Sequence, residues 1–415
     1  MKNILLNFSI LFSAAITTSN AQFLIYNSDN TEMNLDKVSC ISIAHDQTKW
    51  IGTEGSGLYR LDEFGSENFT TINTSGFPNN TITDIFVYGA EVWIATRFNG
   101  MGRYFNSNWS TINRSSTSNV LPFNWVTGIV IDKEKVLYSG VYAGGIYSDS
   151  LTIGVTKVYN STNTPELGSN IIRTVYIDDQ NTLWIGTQGG GLVSFKDKVW
   201  TSFTTTNSGI PNDNVNTIHK TGNKIWVGTD AGFASYQVST GWEVFNSNTL
   251  EFFTNDTVRC FTSRGGDLYA ATFSGFVYNK NNEGWKVSNS LNSNLPGDKL
   301  LDIAVDPVTD DIWLVVKDKG LAVINRTKVH VNDQDFFSGI NIYPNPADHN
   351  LFIRNPDGHA LMFQIKDIAG GNHGVNVHQT ASGYLLDVST LCKGMYFLQV
   401  TCNGKSENRK IFISR

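Results

Sequence analysis

Between residues 22 and 328, short apolar stretches alternate with polar clusters at a steady pace. In the best-formed period, Val215-Asn216-Thr217-Ile218 alternates, Lys224 to Thr229 follows, then Gly232 to Tyr236, then Trp242 to Phe245. Alternation over a few residues, bounded by turn formers, predicts strands. The intervals hold Gly, Asn, Asp and Ser, which supply positive φ or local side-chain hydrogen bonds. Each period therefore predicts four strands joined by tight turns.

The period repeats seven times. Its core reads Lys49-Trp50-Ile51-Gly52-Thr53, Val92-Trp93-Ile94-Ala95-Thr96, Leu137-Tyr138-Ser139-Gly140-Val141, Leu183-Trp184-Ile185-Gly186-Thr187, Ile225-Trp226-Val227-Gly228-Thr229, Leu268-Tyr269-Ala270-Ala271-Thr272 and Ile312-Trp313-Leu314-Val315-Val316. The aromatic anchors are 43, 45, 46, 42, 43 and 44 residues apart. A period in the low forties with strand-type composition is that of a propeller blade. The anchors are expected to pack blade on blade, and the small residue after them to fit where sheets crowd near the axis. The seventh repeat stops after Leu321-Ala322-Val323-Ile324, one strand short. Phe23-Leu24-Ile25-Tyr26-Asn27-Ser28 resembles the outer strands, as in Trp242-Glu243-Val244-Phe245-Asn246-Ser247. The N-terminal segment is thus expected to complete the last blade and close the ring, which removes exposed edges. The expected architecture is all-β: a seven-bladed β-propeller closed by an N-terminal strand, followed by a small C-terminal β-sandwich.

The W-I-G-T core, the glycine-rich turn after it and segments such as Ser208-Gly209-Ile210-Pro211-Asn212-Asp213-Asn214 resemble the two-component regulator propeller family over roughly residues 22–328. In that family the propellers often act as sensors joined to a transmembrane helix and signalling modules, and some recognise glycan breakdown products. This sequence carries no such helix, kinase or DNA-binding region.

The pattern changes after Arg326. A polar stretch, residues 329–339, reads as a linker. Residues 340–415 predict short strands at Leu351-Phe352-Ile353, Met362 to Ile365, Tyr384 to Val388, Met395 to Thr401 and Lys410 to Ser414. Tyr343-Pro344-Asn345-Pro346 with Asp348, Asp367-Ile368-Ala369-Gly370, Gly394-Met395-Tyr396-Phe397-Leu398 and the terminal Lys410-Ile411-Phe412-Ile413 resemble the type A sorting domain of the type IX secretion system. Gly371 stands where that family often has Arg or Lys. The resemblance implies export across the outer membrane of a Bacteroidota-type bacterium, with the type IX secretion machinery as partner and the sorting domain usually removed afterwards.

The first 21 residues read as a cleaved leader: Lys2 is basic, Ile4 to Ile16 is a short apolar run, and Ser19-Asn20-Ala21 is a small-residue cleavage site. No Cys follows to carry a lipid, so the mature chain is expected to start at Gln22. No other stretch is apolar enough to span a bilayer. The expected location is secreted or cell-surface, reached through the periplasm. The net charge of −6 argues against nucleic acid as a partner. The cysteines Cys40, Cys260, Cys392 and Cys402 show no metal spacing; Cys40 and Cys260 occupy the same repeat position and read as small buried thiols. Of seven His, only His45 and His219 fall within the blades, so no metal site and no cofactor are expected.

No nucleophile elbow, phosphate loop or zinc motif is present, and no catalytic residue is assigned. Sorting loops by face places Glu54, Arg97, Phe98, Tyr142, Gln188, Asp230, Phe273, Lys317 and Asp318 together with Trp125, Glu166, Asp213, Phe253, Asp256 and Asp298. Trp125 is unusual there, since other repeats have Thr81, Ile171, Asn214, Thr257 and Lys299. An aromatic plane with nearby donors suits a sugar ring or an acidic group, so Trp125, Arg97, Phe98, Tyr142 and Gln188 form the candidate ligand site. The bland alternative packs Trp125 between blades as core. Two functions remain in view: a non-catalytic binding module engaging a glycan or surface protein, and a secreted polysaccharide-degrading enzyme, which would need paired carboxylates on this face.

Overall fold

The computed structural model describes residues 23–62, 65–280, 282–324, 340–354, 360–367, 371–380, 383–402 and 405–414. The expected leader and linker lie outside these residues. Contacts divide the chain into two compact units, Met1–Val329 and His330–Arg415. The described residues are all-β, with no α-helix and one short 3-10 turn at Pro165–Leu167.

The first unit holds seven four-stranded antiparallel sheets. We number them sheets 1 to 7 by their inner strands: Val38–Ile43, Ile82–Tyr88, Val126–Ile131, Ile172–Ile177, Val215–Thr221, Val258–Arg264 and Leu300–Val305. Each inner strand contacts the inner strands of both neighbouring sheets, and that of sheet 7 contacts that of sheet 1, so the inner strands close a ring. This is the arrangement of a β-propeller. Six sheets are built from one continuous run of chain. Sheet 7 takes its outer strand, Leu24–Tyr26, from the other end of the unit, with Leu24 opposite Val323 and Tyr26 opposite Leu321. The Asn294 side chain accepts from the Phe23 N–H at 2.6 Å and donates to its carbonyl at 2.8 Å, tying that strand to the loop before sheet 7.

The repeated residues have separable physical roles. Trp50 packs with Ile82, Ile85 and Ile94 of sheet 2, Trp93 with Val126 and Ile129 of sheet 3, and Trp313 with Ile41 and Ile51 of sheet 1. Each anchor thus buries itself against the next sheet; Tyr138 departs by being only half-buried. The small residue lies where inner strands converge: a Cβ on Gly186 would stand 2.6 Å from Thr174 Cγ2 and 2.7 Å from Val215 Cγ1. The following Thr is fully buried in five sheets, where its hydroxyl donates to a turn glycine carbonyl, as Thr53 does to Gly57 at 2.8 Å. The glycine opening the third strand does more than turn. Gly320 has φ +91°, and a Cβ there would strike the Tyr26 carbonyl oxygen of the outer strand.

One local feature escapes the alternation pattern. Every inner strand carries a β-bulge after its first residue, leaving Ser39, Thr83, Thr127, Arg173, Asn216, Arg259 and Leu301 out of register with the second strand. A bulge re-aims the side chain it inserts. Here several such side chains stitch neighbours together: Ser39 Oγ donates to the Ile82 carbonyl at 2.8 Å, Thr83 Oγ1 to Val126 at 2.6 Å and Asn216 Nδ2 to Val258 at 3.1 Å.

The second unit holds two four-stranded sheets, and residues from both, including Leu351, Ile353, Leu386, Ile365, Leu398 and Ile411, share one buried cluster. Three strands there were not expected: Asn341–Tyr343, Asn372–His373 and Asn376–Thr380. Asn376–Thr380 is exposed along its whole length, so no face of it is apolar and no alternation marks it. The strand expected at Met395 to Thr401 runs from Gly394 to Cys402, and the last strand starts at Lys405 rather than Lys410.

Candidate binding site at one mouth of the ring

The same bond recurs in all seven sheets. The residue after the second strand donates its N–H to the carbonyl of the residue leading into the inner strand. The pairs are Glu54 to Lys37, Arg97 to Thr81, Tyr142 to Trp125, Gln188 to Ile171, Asp230 to Asn214, Phe273 to Thr257 and Lys317 to Lys299, at 2.8 to 3.3 Å. These bonds gather seven residue pairs at one mouth of the ring.

At sheet 3 the pair is aromatic. The Trp125 and Tyr142 rings stack with centroids 3.9 Å apart and planes 14° from parallel. The guanidinium carbon of Arg97, from sheet 2, lies 4.7 Å from the Trp125 centroid. Rings 3.9 Å apart leave no room for it between them, so Arg97 covers the opposite face of the indole. Arg97 also lies 5.5 Å from the Phe98 ring, which is 61% exposed. Trp125 and Tyr142 are half-buried and Arg97 is exposed. The indole therefore presents edges rather than a free face, with exposed Arg97 and Phe98 and half-buried Tyr142 around it. Gln188 is exposed but sits one sheet further on, paired with Asn214 of sheet 5.

On the neighbouring sheets 4 and 5 lies a polar group of which sequence reasoning had placed only Asp230 on this face. Arg173 Nη1 donates to Asn216 Oδ1 at 2.6 Å and pairs with Asp230 Oδ2 at 3.0 Å, and Asn216 Nδ2 donates to Asp230 Oδ1 at 2.8 Å. Burial pushes the Asp230 carboxyl up, but the hydrogen bonds from Asn216 and Arg173 outweigh it and hold Asp230 below the usual carboxylate range. The next bulge residue, Arg259, is solvent-accessible yet crowded by protein; desolvation, then the charge of Arg173, lowers its pKa. The missed signal was a polar residue second in an inner strand, which a bulge makes available to the mouth.

Deeper in the ring, Asp84 Oδ2 accepts from the Ile129 N–H at 3.0 Å and Asp302 Oδ2 from the Ile41 N–H at 2.8 Å, each bridging to the next sheet. Desolvation raises both; Asp84 reaches about 7, with the Asp302 charge adding to the effect. Cys40 is buried and Cys260 half-buried, and desolvation followed by the charge of Asp302 raises both thiols.

Three of the carboxylates that left an enzyme in view have structural employment. Asp213 accepts from the Thr205 N–H and hydroxyl, Asp256 from those of Ser247, and Asp298 from those of Ser290. Asn80, Asn124 and Asn170 accept the corresponding N–H bond in sheets 1, 2 and 3. These side chains brace the turn between successive sheets.

In the second unit, Tyr343, Pro344, Asn345 and Pro346 are exposed, and the Tyr343 ring lies 5.2 Å from Phe352. Asn345 binds the last strand from both sides, donating to the Lys410 carbonyl at 3.1 Å and accepting from the Phe412 N–H at 2.7 Å. Gly394 pairs with Ile413, and Tyr396 is buried with its hydroxyl on the Cys392 carbonyl at 3.0 Å. Exposed Lys410 reaches over Phe412. Asp367 accepts from the Gly371 N–H and bonds His373 at 2.9 Å; residues 368–370 lie outside the described set. Of the motif residues, Tyr343 ends the first strand of this unit, Pro344 to Pro346 follow it, Gly394 and Tyr396 lie on Gly394–Cys402, and Lys410 lies on Lys405–Ile413.

The ring of sheets is that of a β-propeller protein. Residues 341–414 match the family described as the secretion system C-terminal sorting domain, and residues 166–189 match the two component regulator propeller. A curated relative, "Histidine kinase P4" of Formosa agariphila, is 28% identical over 182 residues, 41% of this chain and 13% of that protein. Among solved structures, the extracellular domain of the hybrid two component system BT3049 from B. thetaiotaomicron superposes with a TM-score of 0.63 at 17% identity, covering 95% of this chain and 60% of that one. PorZ, a bacterial surface component of the type-IX secretion system of Porphyromonas gingivalis, gives 0.55 at 14% identity, covering 90% and 59%. This chain spans less than two thirds of the length of each. The match to the secretion-system sorting domain supports a secreted or cell-surface location and an interaction with the secretion machinery. No helix of the described residues is long and apolar enough to cross a membrane.

Proposed function

We propose that this protein is a non-catalytic recognition module at the cell surface or in the medium, exported by the type IX secretion system. The seven sheets of residues 22–328 are a seven-bladed propeller closed by its N-terminal strand. Residues 1–21 are a removed leader and 329–339 a linker. Residues 340–415 form a β-sandwich that carries the sorting signal, with Tyr343 to Pro346, Gly394, Tyr396 and Lys410 as its motif residues, and passage is through the periplasm. The ligand, a glycan or a surface protein, binds at the mouth bearing Trp125.

The observation that carries this reading is the Arg97–Trp125–Tyr142 stack. Three side chains from two sheets are held in register at a mouth, half-exposed rather than sealed in core. Stacking on an aromatic face fixes the guanidinium plane while leaving its N–H edge available. The degradative alternative is weakened because Asp230 is ionised and tied to Arg173, and Asp213, Asp256 and Asp298 brace turns.

The test is a glycan and surface-protein binding screen with the mature chain and its Trp125→Ala variant. Binding is expected to fall at least about tenfold, with a stability loss well short of the roughly 3–5 kcal/mol typical of truncating a core aromatic. A core-sized stability loss with unchanged affinity would return Trp125 to a packing role.

A further inference from the structure

We propose that this mouth binds an anionic saccharide, a glycan chain bearing uronate carboxylates or sulfate esters, along an arc of cations that runs from Arg97 to Arg259. The proposal rests on the mouth facing ligand, as above, and adds the ligand's chemical class.

The chain as a whole carries −6, yet the paired positions and bulges that line this mouth are cationic. Its paired positions and bulges contribute Lys37, Arg97, Arg173, Arg259, Lys299 and Lys317 against Glu54 and Asp230. Only Arg173 is neutralised, by Asp230; among the described residues the other five make no ion pair. The carboxylates just behind the rim do not supply partners, since Asp298 and Asp256 bind turn N–H and hydroxyl groups. Asp318 is exposed beside Lys317.

Arg259 is the sharpest case. Its counterparts Ser39, Thr83 and Asn216 spend their hydrogen bonds stitching to the next sheet. Arg259 makes no hydrogen bond among the described residues; the charges of Asp230 and Asp302 favour its charged form, but desolvation and then the charge of Arg173 outweigh them. A crowded guanidinium next to another, without a bonded carboxylate, is an unfavourable arrangement that an anion relieves. Its planar fork matches a carboxylate or sulfate two-pronged.

The spacing selects a chain over a small ion. Arg97 belongs to sheet 2 and Arg259 to sheet 6, with sheets 1 and 7 between them carrying Lys37, Lys299 and Lys317. With two sheets between the arginines, an oligosaccharide with repeated charges follows the arc. Aromatic surface at both ends, Tyr142 with Phe98 and Phe273 under Lys299 at 6.0 Å, suits the C–H faces of sugar rings better than an acidic peptide.

The experiment titrates the mature chain with a polygalacturonate oligosaccharide, a sulfated galactan oligosaccharide, a neutral glucan of equal length and polyglutamate. The expected result is binding of one or both charged glycans, weakening as salt is raised and falling about tenfold or more in Arg259→Gln and Arg97→Gln. Should Arg259→Gln fold poorly, the exposed-site variants Lys299→Glu and Lys317→Glu serve instead, with melting as in the parent. Equal affinity for the neutral glucan, tighter binding of polyglutamate, or charged-glycan affinity indifferent to these substitutions overturns the inference. If a neutral ligand is lost in Trp125→Ala but untouched by Arg259→Gln, the recognition module stands and the anionic class falls. The converse pattern upholds the arc and removes Trp125 from the site.

Discussion

The Tyr26 ring stacks on Trp313 with centroids 5.8 Å apart and planes 11° from parallel, joining the first described strand of the chain to the anchor of sheet 7. The same strand supplies the Tyr26 carbonyl against which Gly320 must lack a side chain. Phe23 beside it is 3% exposed, within the cluster of Leu295, Leu300 and Leu314.

Deleting residues 22–28 should therefore destabilise the first unit by on the order of 3–5 kcal/mol, the scale of losing one buried aromatic, before the unpaired edge is counted. Thermal melting and urea unfolding check it. A deletion variant that melts with the parent would show that the strand is dispensable.

The pH dependence of stability holds two opposed contributions. Asp84 titrates near 3.8 unfolded and about 7 folded because burial raises it, so its contribution is lost as pH rises from about 4 to 7. His219, whose ring bonds Ser263 at 2.8 Å, is pushed by burial from 6.5 down to about 4. Its contribution is lost as pH falls through that same interval. Relative to the parent, Asp84→Asn should tilt the profile between about pH 4 and 6.5 toward rising with pH, and His219→Gln toward falling. Melting temperatures across this range read both slopes, and parallel profiles in the two variants would contradict the assignment.

Thiol reactivity should divide by environment. Cys392 is exposed, whereas Cys40 is buried and Cys260 half-buried, both with thiols raised by desolvation and nearby Asp302. Alkylation of the native protein at mildly alkaline pH should label Cys392 well before the other two, because the thiolate is the reactive form. Peptide mass spectrometry over time would detect the order, and labelling of Cys260 as fast as Cys392 would refute it.

Removing residues 340–415 should leave the first unit folded and held in the periplasm. The two units have separate cores, and the sorting-domain match ends at residue 414. Fractionation with far-UV circular dichroism on the retained species is the check; normal release of the truncated protein would detach export from this domain.

How much could be read from the residues varies with the kind of interaction. Trp50, Trp93 and Trp313 declared their packing because burial on one face imposes a repeating aromatic, and Leu24–Tyr26 could be placed because it copies an outer strand. Asn376–Thr380 could not, since a strand exposed on both faces has no apolar period. Trp125 was recognisable as unusual for its position and Tyr142 as a neighbour on the same face, but their 3.9 Å stack and the cover Arg97 lays over the indole were not. The carboxylates of Asp213 and Asp230 look alike in sequence; one braces a turn and the other locks to Arg173.

By itself the sequence determined the period, the strand order within each sheet, the exported character of the C-terminal motifs and the acidic overall balance. These follow from local alternation and turn chemistry, which neighbouring residues specify. Tertiary structure alone decided which side chains meet across sheets. The bulge after the first residue of every inner strand breaks the alternation from which facing is read, so Arg173, Asn216 and Arg259 reach the mouth. Ring closure then brings Arg97 and Arg259, 162 residues apart in the chain, to one mouth, an arrangement that no local pattern encodes.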